Sequence, residues 1–80
     1  MIEREIMLSS IEDVKNFVNL TMSHEFDIDL VSGKYTINAK SIMGIFSVDL
    51  TKPLKMVAHC DENDSIVTEV EPFIYDPEKK

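Results

Sequence analysis

Asn38-Ala39-Lys40-Ser41-Ile42-Met43-Gly44-Ile45-Phe46-Ser47 is the stretch on which the reading of this chain turns. It predicts a short helix over 41–48, opened by a serine and placed directly after a half-buried strand. Ser41 suits the N-cap position, where a side-chain oxygen accepts from a backbone N–H of the first turn. Ile42, Met43, Ile45 and Phe46 then make nearly continuous apolar surface around one short helix. So short a helix cannot hide all four side chains in one core, and part of that surface must face solvent or a partner. The serine also stands where the helix dipole and free N–H groups favour an anion such as phosphate. One segment thus combines a docking surface with a candidate switch.

The rest of the chain builds outward from this segment. Phe26, Ile28 and Leu30 alternate with Asp27 and Asp29, the clearest strand signal present. Ser32-Gly33 turn the chain, and Tyr35, Ile37 and Ala39, alternating with Thr36 and Asn38, supply the hairpin partner. Downstream, Asp49 to Pro53 reads as a loop fixed by its proline. Leu54, Met56, Ala58 and Cys60 alternate with Lys55, Val57 and His59, which predicts a fourth strand. Near the N-terminus, Ile2, Arg4, Ile6 and Leu8 share one face of a first strand over 2–8. Ser9 with Glu12 fits an S-x-x-E capping box, opening a helix over about 10–23 with the apolar stripe Ile11, Val14, Phe17, Val18 and Met22. Asp61 caps a last helix of about ten residues that carries Ile66, Val67 and Val70 and stops at Pro72. Residues 71–80 form an irregular tail. Its Phe73, Ile74 and Tyr75 are apolar enough to pack back, and Glu78, Lys79 and Lys80 fray.

The order β-α-β-β-α-β-α predicts one α+β domain over 1–80. It is a two-layer, open-faced sandwich: a four-stranded antiparallel sheet with three helices on one face and Asp27 and Asp29 in water. Fifteen acidic residues against eight basic give a net charge of −7, which excludes the basic stripe a nucleic-acid binder needs. An anionic membrane surface is disfavoured on the same ground, whereas a partner with a basic face is attracted. The same charge also serves solubility. Cys60 is the one cysteine, so no intrachain disulfide or thiolate cluster can form, and a reducing compartment is expected. No apolar run reaches transmembrane length, and the acidic start is no signal peptide, so the expected location is the cytoplasm.

The segment Asn38-x-Lys40-Ser41-Ile42-Met43-Gly44, with the Gly33-Lys34 turn and Ser47, resembles the HPr-like family, the histidine-containing phosphocarrier proteins of the bacterial sugar phosphotransferase system. The resemblance runs without gaps from about Asp27 to Lys55 and resumes at Asp61-Glu62-Asn63-Asp64 after a short deletion. It implies the open-faced sandwich named above. In the family, a G-I-H-A-R-P-like segment precedes the first helix; its histidine carries phosphate from enzyme I and its arginine pairs with that phosphate. Here Ser10 stands at the histidine position, Glu12 at the arginine and Asp13 at the proline. A serine forms no labile phosphoimidazole, and the two carboxylates would repel a phosphate where the family supplies a cation. Ser41 matches the family's regulatory serine, which a kinase phosphorylates in many Gram-positive bacteria so that a transcriptional regulator of catabolite control can bind. Serine kept and histidine lost resembles the catabolite repression form of the phosphocarrier.

These residues lead to a non-catalytic, protein-binding domain that docks through Ile42, Met43 and Phe46 and is switched by phosphate on Ser41. The implied partners are a kinase, a transcriptional regulator or another phosphotransferase component, with the protein a monomer or weak homo-oligomer. Ser41 as a plain helix cap, and Phe46 as cover for the core edge, stand as alternatives. So does phosphoryl transfer through His24 or His59. His24, at or just past the end of the first helix, reads as a solvated capping residue. His59 falls on the open sheet face, near Asp27 or Asp29, with Lys55 its nearest cation in sequence. No cofactor or metal is expected: Gly33 and Gly44 make no phosphate-cradling loop, and residues 61–64 lack EF-hand spacing. Cys60 is expected in the core, and unreactive.

Overall fold

The computed structural model describes residues 1–75. Strand β1 (Ile2–Ile6) leads into helix α1 (Ile11–Met22), then strands β2 (Ile28–Ser32) and β3 (Tyr35–Asn38). Helix α2 (Ile42–Phe46), strand β4 (Leu54–Ala58), helix α3 (Ile66–Glu69) and a 3-10 turn at Glu71–Phe73 complete the described chain. The four strands form one antiparallel sheet in the order β1-β4-β2-β3. β4 therefore lies inside the sheet, with Ala58 opposite Ile2 on one side and Ile28 on the other.

Alternation does the sorting in the sheet. Ile2, Ile6, Ile28, Leu30, Leu54, Met56 and Ala58 are buried, while Glu3, Glu5, Asp27 and His59 are exposed. Arg4 shares its face with Ile2 and Ile6 but sits on the outermost strand, so it stays exposed and donates from Nη1 to the Glu3 carbonyl at 2.8 Å. Leu8 is buried beyond the end of β1, which stops at Ile6.

α1 packs Val14, Phe17, Val18 and Thr21 inward, an i, i+3, i+4, i+7 stripe. Two members of the predicted stripe lie outside it: Ile11 and Met22 are each 64% exposed. The buried position in the last turn belongs to Thr21. Its hydroxyl lies 2.9 Å from the Val18 carbonyl and 3.0 Å from the Ala39 carbonyl, so the polar side chain is satisfied without water. The cap is also one residue later than predicted. Ser10 Oγ accepts from the Asp13 N–H at 3.1 Å, and the Asp13 carboxylate accepts from the Ser9 N–H and hydroxyl at 3.3 and 3.0 Å. The cap is Ser10, not Ser9, because the helix begins at Ile11, and the returning carboxylate is Asp13, which reaches past the cap to Ser9.

The C-terminal third departs most from expectation. α3 spans only four residues, its N-cap Ser65 making no side-chain capping bond. The acidic run before it makes turns instead of helix: Asp61 accepts from the Asn63 N–H at 3.2 Å and Asp64 from the Ile66 N–H at 3.0 Å. The helix has already ended when Pro72 arrives within the 3-10 turn. The tail then behaves as a partial strand. Ile74 bridges Ile6, the Met7 N–H donates to the Phe73 carbonyl and the Tyr75 N–H to the Glu5 carbonyl, both at 2.8 Å. Phe73 meets Phe17 edge-on at 5.5 Å between ring centroids, so the tail supplies core that a longer helix would have supplied. The expected fraying of Glu78, Lys79 and Lys80 concerns positions outside the described residues.

Candidate functional site

α2 is five residues long, with Ser41 and Ser47 as its caps. Ser41 Oγ accepts from the Gly44 N–H at 3.2 Å, so the capping role read from the sequence is formed. The four apolar residues divide by angle around the helix. Ile45 is fully buried and Ile42 half-buried against the core, while Met43 is 76% and Phe46 40% exposed. Phe73, not Phe46, covers Phe17. Met43 and Phe46 are thus large apolar side chains outside the core cluster, the first mostly exposed and the second partly covered, carried on a helix that Ile45 anchors.

The start of α2 is tied to the end of α1. The Ala39 carbonyl meets Thr21, and Lys40 Nζ donates to the His24 carbonyl at 2.7 Å. Ser10 and Glu12 sit at the opposite end of that helix, which has 12 residues and is about 18 Å long. The structure therefore does not bring Ser41 and the Ser10 turn together. At the Ser10 turn the first-turn carboxylates are Glu12 and Asp13, and Asp13 already bonds Ser9. A carboxylate occupies the anion-favouring end of α1, which leaves a phosphate opposed by charge.

Neither histidine has the surroundings of a phosphoryl acceptor. His24 corrects the expectation of a solvated capping residue: its side chain is 11% exposed, with Nε2 2.7 Å from Glu69 Oε1 and Nδ1 3.5 Å from Asp64 Oδ1. Its ring also stacks on Phe26 at 5.0 Å. Glu69 and Asp64 lie far along the chain, and no spacing in the sequence announces this clamp. His59 lies where expected on the open face, Nε2 3.1 Å from Asp29 Oδ2. Lys55, its nearest cation in sequence, is engaged by Glu3 at 2.9 Å. The charged side chains at the rings are carboxylates, two at His24 and one at His59. Cys60 is half-buried, and burial, then the nearby Asp64, pushes its thiol pKa up, away from nucleophilic use. Among the described residues no cluster of three or more histidine, cysteine or acidic groups could hold a metal ion.

The sheet order, the hairpin followed by a serine-capped helix, and the helices all on one face define an HPr-like open-faced α+β sandwich. Comparison with solved structures gives the same answer. HPr-C-His from Thermoanaerobacter tengcongensis superposes with a TM-score of 0.74 at 25% identity, covering 92% of this chain and 91% of that one. The phosphocarrier protein HPr from Bacillus anthracis str. Ames superposes with a TM-score of 0.69 at 19% identity, covering 92% and 96%, and speaks to the fold alone. This chain has the HPr-like fold along nearly its whole length. No protein-family model matches it, and no curated protein matches it.

Proposed function

We propose that this chain is a non-catalytic relative of the phosphocarrier proteins that works by binding another protein through α2, with Met43 and Phe46 as the anchors, Ile42 at the margin and Ser41 as the switch. One observation carries the proposal: Met43 is 76% exposed and Phe46 40% on the helix that Ser41 caps. Exposed aromatic and methionine side chains on a fixed helix suit the centre of an interface. A phosphate on Ser41 would add charge and acceptor oxygens beside those anchors, which gives a partner carrying arginine or lysine a reason to distinguish the two forms. The resemblance to the catabolite repression form of the phosphocarrier favours a kinase, a transcriptional regulator or a phosphotransferase component as partner, and a cytoplasmic location. No helix among the described residues is long and apolar enough to cross a membrane. Phosphoryl transfer through His24 or His59 loses support from the carboxylates around each ring.

The test has two arms. Incubation with enzyme I and phosphoenolpyruvate should leave no acid-labile phosphate on the protein; a phosphorylated histidine ends the non-catalytic proposal. Incubation with the family's serine kinase and ATP should place one acid-stable phosphate on Ser41, and a folded protein that stays unmodified ends the switch while leaving the docking surface.

A further inference from the structure

We propose that the outer edge of β3, with the groove beside it, binds an extended segment of a partner protein in which an apolar residue is flanked, two positions away on each side, by acidic residues, so that all three share the groove face. The two edges of the sheet are treated differently. β1 is partly covered by the tail through the Ile6–Ile74 bridge. Among the described residues no strand pairs with the outer side of β3. Gly33, at φ +58°, and Lys34 make a two-residue turn, so Ser32 and Tyr35 face each other across it. Antiparallel pairing alternates from there, so Tyr35 and Ile37 turn their backbone groups toward β2, and Thr36 turns its N–H and C=O outward. The Asn38 carbonyl is already used by the Ser41 N–H at 3.0 Å, which leaves Thr36 and the Asn38 N–H for an added strand.

A groove of about 550 Å³ runs between this hairpin and the segment after α2. Its apolar surface comes from Ile37, Val48 and Tyr35, the last 71% exposed, so an apolar side chain of an added strand has a place to sit. Lys34 and Lys52 stand on it from opposite sides, both exposed, and neither forms a salt bridge among the described residues. Asp49 is the one carboxylate in the lining; it stays charged, accepting from the Thr51 N–H and hydroxyl with Lys52 nearby. Two lysines against one carboxylate leave the groove net positive on a chain of net charge −7, which favours an anionic occupant. Two copies would pair poorly through their β3 edges, because Tyr35-Thr36-Ile37-Asn38 carries no carboxylate. Two lysines are too few to hold a nucleic acid against the overall charge. Met43 and Phe46 do not line the groove, so this surface is separate from the α2 face.

The experiment titrates the uniformly ¹⁵N-labelled full chain with an end-blocked synthetic peptide, Glu-Thr-Val-Thr-Glu, and with its counterpart Lys-Thr-Val-Thr-Lys, in which the valine and the two charged residues share one strand face. The acidic peptide should shift amides within 34–38 and 47–52 and slow exchange of the Thr36 amide, and the basic peptide should bind about tenfold more weakly or worse. Methylating the peptide's backbone nitrogens should abolish the effect. The double variant Lys34→Glu, Lys52→Glu, changed only at exposed positions, should reverse the preference between peptides. Equal response to both peptides, indifference to methylation, shifts centred on Met43 and Phe46, or no saturable shift at millimolar peptide would each overturn the proposal. Concentration-dependent shifts at β3 without peptide would overturn it in favour of self-association.

Discussion

Replacing Ser41 by alanine tests whether this serine has a structural duty before any phosphate arrives. The perturbation removes one hydrogen bond, Gly44 N–H to Ser41 Oγ at 3.2 Å. Ser41 is exposed, so water can reach the freed N–H, and the cost is that of a lost N-cap, about 1 kcal/mol. α2 has five residues and one fully buried side chain, Ile45, so the loss falls on a helix with little else to hold its first turn. For a domain of this size about 1 kcal/mol lowers the melting temperature by roughly 4–8 °C. Ser41→Asp keeps an acceptor at the cap and places a charge the dipole favours, so its stability should match or exceed the parent. Urea unfolding of the parent and both variants gives the stabilities, and hydrogen exchange at Gly44 locates the change. If Ser41→Ala costs less than about 0.3 kcal/mol and leaves Gly44 exchange unaltered, the cap is not stabilising and the assignment fails. The pair of variants also guards binding experiments: a docking defect in Ser41→Ala that Ser41→Asp lacks is a helix defect until phosphorylation is shown.

Phe73→Ala should cost about 2–3 kcal/mol, less than a fully buried aromatic because Phe73 is half-buried, yet it uncovers Phe17; chemical denaturation with a loss under about 0.5 kcal/mol would refute its core role. Asp49 should titrate below the ordinary carboxylate range, since hydrogen bonds from the Thr51 hydroxyl and N–H favour its charged form. A depressed folded pKa means its contribution is whole above the unfolded value, near ~3.9, and is lost as pH falls through the lower folded value. Carboxyl-carbon NMR titration checks this, and Thr51→Val should bring Asp49 back toward the ordinary value; an unchanged midpoint would sink the assignment.

Much of the fold was legible because its signals are periodic. Ile28 and Leu30 against Asp29, and Leu54, Met56 and Ala58 against Lys55, declare a sheet with one dry face. The serine-capped helix after the hairpin placed α2 within a residue or two of its observed limits. What escaped was decided by contacts distant in sequence. Ile11 and Met22 project from the rim of the helical stripe, beyond Val18, and stay exposed, while Thr21 lies within the arc and turns inward to meet Ala39. The last helix looked longer because Asp61 resembles a cap, and only the turn bonds of Asp61 and Asp64 show that this run consumes residues instead of starting helix. At the candidate site, the position of His59 followed from alternation, and the exposure of Met43 from the family resemblance. The clamp on His24 did not, since a ring and two carboxylates meet there only after the chain has folded.

The bridge from Ile6 to Ile74 also sets a schedule. The first strand finds its outer neighbour only when residues near the far end of the domain come home, and closing so long a loop is entropically slow. Until that moment Glu5 and Met7 show bare backbone to any passing chain, so shortening the protein after Val70 should leave a permanently sticky domain and not merely a smaller one.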